Sequence, residues 1–315
     1  MFFQSATKGD NRLIKYLLTL LLVVVGVFVG QIPMVIVIGA YMAKDGLSST
    51  EMQEFQENFN FSVLGIDSSL ALLLMILAFA GGLLMLALGL KWLHNKRLTD
   101  VLTGRPGLDW GRVFFAFGFW LLLSFLFEAV AYWYDPDNYI FQLEWKSFLP
   151  LLVVALFFLP LQTSFEEAIF RGYLMQGIGW WTKTRWIPLV LTSSAFGLLH
   201  FANPEVDQFG VGMMMTYYIG FGLIMGLCTL MDEGTELALG LHAATNFYGA
   251  TFVTFSGSVL QTNTIFRIQE LEVGLMALFS LLSGALFILV ASYRYQWKDW
   301  GKLFRPIHFE SNEEA

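Results

Sequence analysis

Apolar residues in this chain come in long unbroken blocks, with polar residues gathered between them. Eight stretches come close to or exceed the roughly 20 residues that cross a bilayer as a helix. They run approximately over 13–42, 68–93, 112–134, 147–178, 186–203, 211–231, 236–255 and 273–295. The pattern predicts an all-α polytopic membrane protein with about eight transmembrane helices. The first block is too long for the core of a signal peptide, and no small-residue cleavage site follows it. It reads as a retained helix, bent near Pro33. The ends, "MFFQSATKGDNR" and "HFESNEEA", read as short solvated tails.

The charged residues between the blocks sort by sign. Lys8, Arg12 and Lys15 precede the first span, and Lys91, Lys96, Arg97, Arg105 and Arg112 surround the second loop. Lys183 and Arg185 occupy the fourth loop; Arg294, Lys298, Lys302 and Arg305 follow the last span. The first and third loops carry Glu51, Glu54, Glu57, Asp135, Asp137 and Glu144. The positive-inside rule then puts both termini and the even-numbered loops in the cytoplasm. The sixth loop, "MDEGTE", has no basic residue and is neutral to that assignment.

Composition agrees. The chain is 56% hydrophobic and 14% charged, where soluble domains carry about 25% charge. So few charges could not cover a water-facing surface. A net charge of -7 without a basic patch argues against nucleic acid. The single cysteine, Cys228, rules out an intrachain disulfide and a cysteine metal cluster, and reads as a packed apolar residue.

Ionisable groups inside a bilayer cost several kcal/mol and mark a cavity or a partner. Here they are Glu166, Glu167 and Arg171 in the fourth span, His200 in the fifth, and His242 with Asn246 in the seventh. Glu128, near the outer end of the third, reads as a snorkelling side chain. His94 and His308 lie among basic residues and read as solvated. At 100° per residue Glu167 and Arg171 share a helix face and can pair, whereas Glu166 lies about 140° from Arg171. The expectation is a structural pair, Glu167 with Arg171, that leaves Glu166 for chemistry. His242 and Asn246 share one face, as do Phe196 and His200. Depths match only if the fourth helix continues to about residue 177–179; Glu166 is then about 15–20 Å deep, near His200 at about 21 Å.

These stretches resemble the CPBP, or Abi, family of intramembrane proteases, which includes the type II CAAX prenyl endopeptidases. "EEAIFR" (Glu166 to Arg171), "FGLLH" (Phe196 to His200) and "HAATN" (His242 to Asn246) match its three motifs in order and spacing. The resemblance covers about 147–255 and divides the chain into three parts. Residues 1–146 are an N-terminal tail with three accessory helices, 147–255 the catalytic core, and 256–315 a final helix and cytoplasmic tail. It implies hydrolysis of a peptide or lipidated-peptide substrate in contact with membrane lipids, in a bacterial plasma membrane. Glu166 and His200 would activate water, and His242 and Asn246 would stabilise an oxyanion. The reading favours no cofactor. Zinc on Glu166, His200 and His242 is the alternative, since two imidazoles and a carboxylate form a known catalytic set. A transporter or proton relay, and a non-catalytic immunity or chaperone protein, are the rival classes. A prenylated peptide or a leader-peptide precursor would each need a cleft facing lipid and cytoplasm. The oligomeric state stays open.

Overall fold

The computed structural model describes residues 1–45, 50, 53, 55 and 61–309. Glu51, Glu54, Glu57 and the last six residues lie outside that set. All eight apolar blocks are helical: α1 Leu13–Asp45, α2 Ser68–Gly89, α3 Trp110–Tyr134, α4 Trp145–Thr182, α5 Trp186–Leu199, α6 Val211–Asp232, α7 Glu236–Thr251 and α8 Val273–Arg294. Leu17, Leu21, Phe28 and Val35 of α1 are exposed, as lipid-facing residues would be. Helix α4 is assembled from shorter pieces. It breaks before Pro160, widens to a π-helical turn over Ala168–Leu174 and continues to Thr182. The helix thus continues past residues 177–179, as the sequence required.

Among the described residues, six helices are long and apolar enough to cross a membrane: α1, α2, α3, α4, α6 and α8. Against the expectation of about eight, six helices qualify as candidates, and the other two fall short for a physical reason. Helix α5 is apolar but short. Helix α7 has 16 residues, about 24 Å of rise against a hydrocarbon core of about 30 Å. It carries Glu236, His242 and Asn246 and is packed among α3, α4 and α6. Its neighbours are protein, so it needs no apolar coat.

The N-terminal segment, the described residues after α8 and the even-numbered loops gather at one end of the bundle. The backbone N–H of Phe2 donates to Glu233, Lys302 pairs with Glu233 at 2.9 Å, and Ile307 N–H donates to the Lys183 carbonyl. The acidic sixth loop is neutralised across space: Arg105 and Arg112 each reach Asp232 at 2.8 Å, and Arg105 reaches Glu236 at 3.0 Å. Its lack of basic residues is compensated by the second loop.

Two sequence expectations fail at this end. The N-terminal segment is no solvated tail: Phe2 is 0% and Phe3 3% exposed, and a 3-10 helix over Phe3–Lys8 plugs the bundle. Gln176, buried in α4, donates to the carbonyls of Phe2 and Asp100 and fixes the plug. Nor is His94 solvated. It is fully buried, with Nδ1 2.7 Å from the Asp10 carbonyl and Nε2 2.8 Å from the Tyr173 hydroxyl. Those contacts satisfy both ring nitrogens, which makes burial affordable.

The opposite end carries a feature outside the all-α expectation. Strands β1 Tyr139–Phe141, β2 Val253–Phe255 and β3 Phe266–Ile268 form a sheet in the order β1-β3-β2, β3 antiparallel to β1 and parallel to β2. Glu128 does not simply snorkel either; it accepts from the Tyr139 hydroxyl and, at 2.9 Å, from the Tyr248 hydroxyl.

Two outcomes follow from this packing. A Cβ on Gly240 would collide with the Val113 carbonyl oxygen and lie 2.8 Å from Ala116 Cβ, whereas Gly249 on the same helix has open space. Gly240→Val should destabilise by at least about 2 kcal/mol through overpacking, and Gly249→Ala should be near neutral. Melting of the purified variants in detergent checks this. Lys96 is the second case: burial pushes its amine down to about 8, against weaker opposing pulls from Asp100 and Asp10. Between that value and the unfolded value of about 10.4 the folded chain binds fewer protons than the unfolded one. Its contribution to stability therefore rises with pH across that window. The stability difference between the native chain and Lys96→Met, measured at intervals from pH 8 to 10, should change in that direction; a flat difference would contradict it.

Candidate functional site

A cavity of about 1220 Å³ opens inside the bundle, and Glu166, His200, His242 and Asn246 all line it. Sequence order separates these residues widely; the fold of α4, α5 and α7 brings them to one wall. Glu166 and Glu167 fall on adjacent positions just before the π-helical turn of α4, a widening that often marks functional sites.

Glu167, next to Glu166 in sequence, is 0% exposed. Its Oε1 accepts from Arg171 Nη1 at 2.9 Å and meets His242 Nδ1 at 2.7 Å. Arg171, also 0% exposed, donates through Nη2 to the Gly222 carbonyl of α6. Its guanidinium lies 4.2 Å from the centre of the Phe196 ring, a cation–π contact. The same ring stands 4.6 Å from His200 and 5.8 Å from His242. The aromatic position of "FGLLH" thus packs against the arginine and both histidines.

Because Nδ1 of His242 meets a carboxylate, the ring donates there and turns Nε2 towards Glu166. Nε2 is 3.6 Å from Glu166 Oε2, an atom that is buried with no protein hydrogen-bond partner. The other Glu166 oxygen accepts from Gln162 Nε2 at 2.7 Å, and Gln162 Oε1 accepts from Asn246 Nδ2 at 2.9 Å. One turn of α4 and one of α7 are therefore tied through Gln162. His200 is oriented separately: Nδ1 is 2.7 Å from the Phe196 carbonyl, and its ring stacks on Tyr218 with centres 4.4 Å apart. Its Nε2 is left for the cavity.

The structure brings together every residue that the sequence singled out in α4, α5 and α7, but it arranges them differently in two respects. His242 is placed directly against both glutamates, so Glu167 does more than neutralise Arg171: it also orients His242. Asn246 spends one amide N–H on Gln162. Gln162 and Tyr218 were missed. Gln162 lies four residues before Glu166, so the same-face rule that paired Glu167 with Arg171 could have found it. No local pattern marks Tyr218.

For zinc the geometry gives no support. Among the described residues no three His, Cys, Asp or Glu side chains are gathered so as to hold a metal ion. Glu166, His200 and His242 share the cavity wall without forming such a set.

Residues 145–248, which contain all three motifs, match the family model described as type II CAAX prenyl endopeptidase Rce1-like. Among curated proteins, the uncharacterized protein YyaK of Bacillus subtilis (strain 168) is 33% identical over 173 residues, which is 55% of this chain and 58% of that one. The chain thus aligns with somewhat over half the length of this relative. No solved structure matches. The protein is a polytopic membrane protein with a buried Glu/His cluster, and its residues 145–248 match the Rce1-like model of the CPBP (Abi) family.

Proposed function

We propose that this protein is an endopeptidase that hydrolyses peptide bonds of membrane-associated or lipidated peptides within the bilayer, and that 147–255 is its catalytic core. The observation that carries the reading is the unpartnered Glu166 Oε2, 3.6 Å from His242 Nε2, in the wall of a large cavity. Two acceptors at that spacing suit a water molecule that donates one hydrogen to each.

Glu166 removes a proton as the water oxygen attacks the scissile carbonyl. A C–O bond forms, the C–N bond then breaks, and Glu166 returns the proton to the leaving nitrogen. His242, fixed through Nδ1, takes the water's second hydrogen on Nε2, and His200, fixed likewise, lines the space beside it. The second N–H of Asn246 donates to the oxyanion of the tetrahedral intermediate. Glu167 and Arg171 position His242 and do not touch substrate. The groups that touch water and substrate are all on the wall, and no step is routed through zinc. The transporter reading draws no comparable support: the cavity wall, among the described residues, includes none of the plug or of the loops at the terminal end.

Glu166→Gln should abolish cleavage of membrane peptides by the purified protein while leaving its melting temperature unchanged. Glu167→Gln should instead strand Arg171 and release His242, at a cost of about 3–5 kcal/mol in stability. Equal activity loss with unchanged melting in both variants would show that the two glutamates do not divide the work this way. Asn246→Ala should lower the turnover rate by about 10²–10³ with little change in KM. A loss expressed in KM alone would remove Asn246 from the oxyanion site.

A further inference from the structure

The cavity is polarised along the bundle. Most helices that line it contribute the half remote from the termini: Leu72–Phe79 of α2, Trp120–Tyr134 of α3, Leu275–Ser283 of α8, and the matching ends of α5 and α6; α4 and α7 reach it from nearer their middles, at Phe165, Glu166, Phe170 and His242. Asn138, Tyr139, Glu205, Val253, Phe255 and Ser258–Leu260, from the strands and loops at that end, add to the wall. The terminal end is closed by Phe2, Phe3, Gln176 and His94. The cytoplasm-facing cleft expected from the sequence is therefore reversed relative to the termini.

The charge on the wall is one-sided. The lining includes Glu128, Asp135, Glu166, Glu205, Glu270 and Glu272 and, among the described residues, no lysine or arginine. Lys146 of α4 and Arg267 of β3, basic residues at this end, are not part of the wall. Asp135, Glu270 and Glu272 are exposed. Glu205 is only 5% exposed; its Oε1 accepts from the Val259 N–H at 2.7 Å, and its Oε2 has no protein partner. Burial pushes that carboxyl above the usual range, so a cation beside it would be favourable. Tyr217 and Tyr218 line the cavity too, and carboxylates with aromatic faces suit ammonium or guanidinium groups. The rest of the wall is largely apolar.

We propose that this cavity binds a cationic, partly apolar peptide segment arriving from the face opposite the termini, which the positive-inside rule makes the extracytoplasmic face. The endopeptidase reading supplies what happens after binding; binding itself stands on the wall. An anionic segment would meet like charges and be repelled.

The test uses the full chain with Glu166→Gln in phosphatidylcholine nanodiscs, so that binding is read without cleavage. The probes are a fluorescent synthetic peptide of alternating Lys and Leu, its Glu/Leu counterpart and spermine as competitor, with empty nanodiscs as background. The Lys/Leu peptide should bind and the Glu/Leu peptide should not. Combining Asp135→Asn, Glu270→Gln and Glu272→Gln should weaken binding about tenfold, as expected for a few screened surface charges. These residues are exposed, and unchanged melting verifies the fold. Equal binding of both peptides, an unaffected triple variant, or spermine competing as well as the peptide itself would overturn the proposal. Direction is read separately by Asp137→Cys on a Cys228→Ala background in intact cells. Labelling by a membrane-impermeant maleimide is expected; labelling only after lysis would put the mouth in the cytoplasm and overturn it. Failure of the unsubstituted chain to cleave any peptide would count against the endopeptidase reading and leave the binding result standing.

Discussion

One carboxylate oxygen, Glu167 Oε1, holds the site together. It meets a guanidinium from its own helix at 2.9 Å and an imidazole from α7 at 2.7 Å, with no solvent exposure. In water such contacts would be worth little; in a dry core, breaking one leaves a charge with nowhere to go. Arg171 in turn reaches the Gly222 carbonyl on α6 and lies over Phe196 of α5. Four helices therefore converge on a single buried ion pair. The geometry of Glu166 and His242 is a consequence of that convergence, because the imidazole can face Glu166 only while its other nitrogen is held.

The position of α7 depends on the same logic. A helix with a glutamate, a histidine and an asparagine would be expensive against lipid. Here it is flanked by α3, α4 and α6, with its first turn neutralised by Arg105 and its middle engaged by Glu167 and Gln162. Gly240 lets it lie against the α3 backbone at Val113. The close approach explains how a short polar helix can occupy the centre of a membrane bundle.

Much of this was legible because the membrane makes polar residues rare. Blocks of apolar sequence located all eight helices, and six ionisable or amide residues in the interior marked the site. Azimuth on one helix was enough to pair Glu167 with Arg171, since both ends of that contact lie within one turn. It could not reveal that His242 of α7 turns its Nδ1 to the same oxygen, because contacts between helices depend on rotation that local spacing does not encode. The buried N-terminus was hidden for a related reason. Phe2 and Phe3 are too few to form a pattern, and their burial depends on Gln176, over 170 positions away. Strands of three residues at the far end were likewise below any periodic signal.

The two ends of the bundle differ because they solve different electrostatic problems. At the terminal end basic loops meet Asp100, Asp232, Glu233 and Glu236, and the opposite charges let the backbone plug pack tightly. At the other end the carboxylates Asp135, Glu270 and Glu272 are exposed around a cavity whose wall has no cation among the described residues. Like charges resist collapse onto one another, so an acidic rim favours an open mouth where the paired end favours a seal. Under the proposed reading Glu166, whose Oε2 has no protein hydrogen-bond partner, keeps that oxygen for a proton on a reacting water.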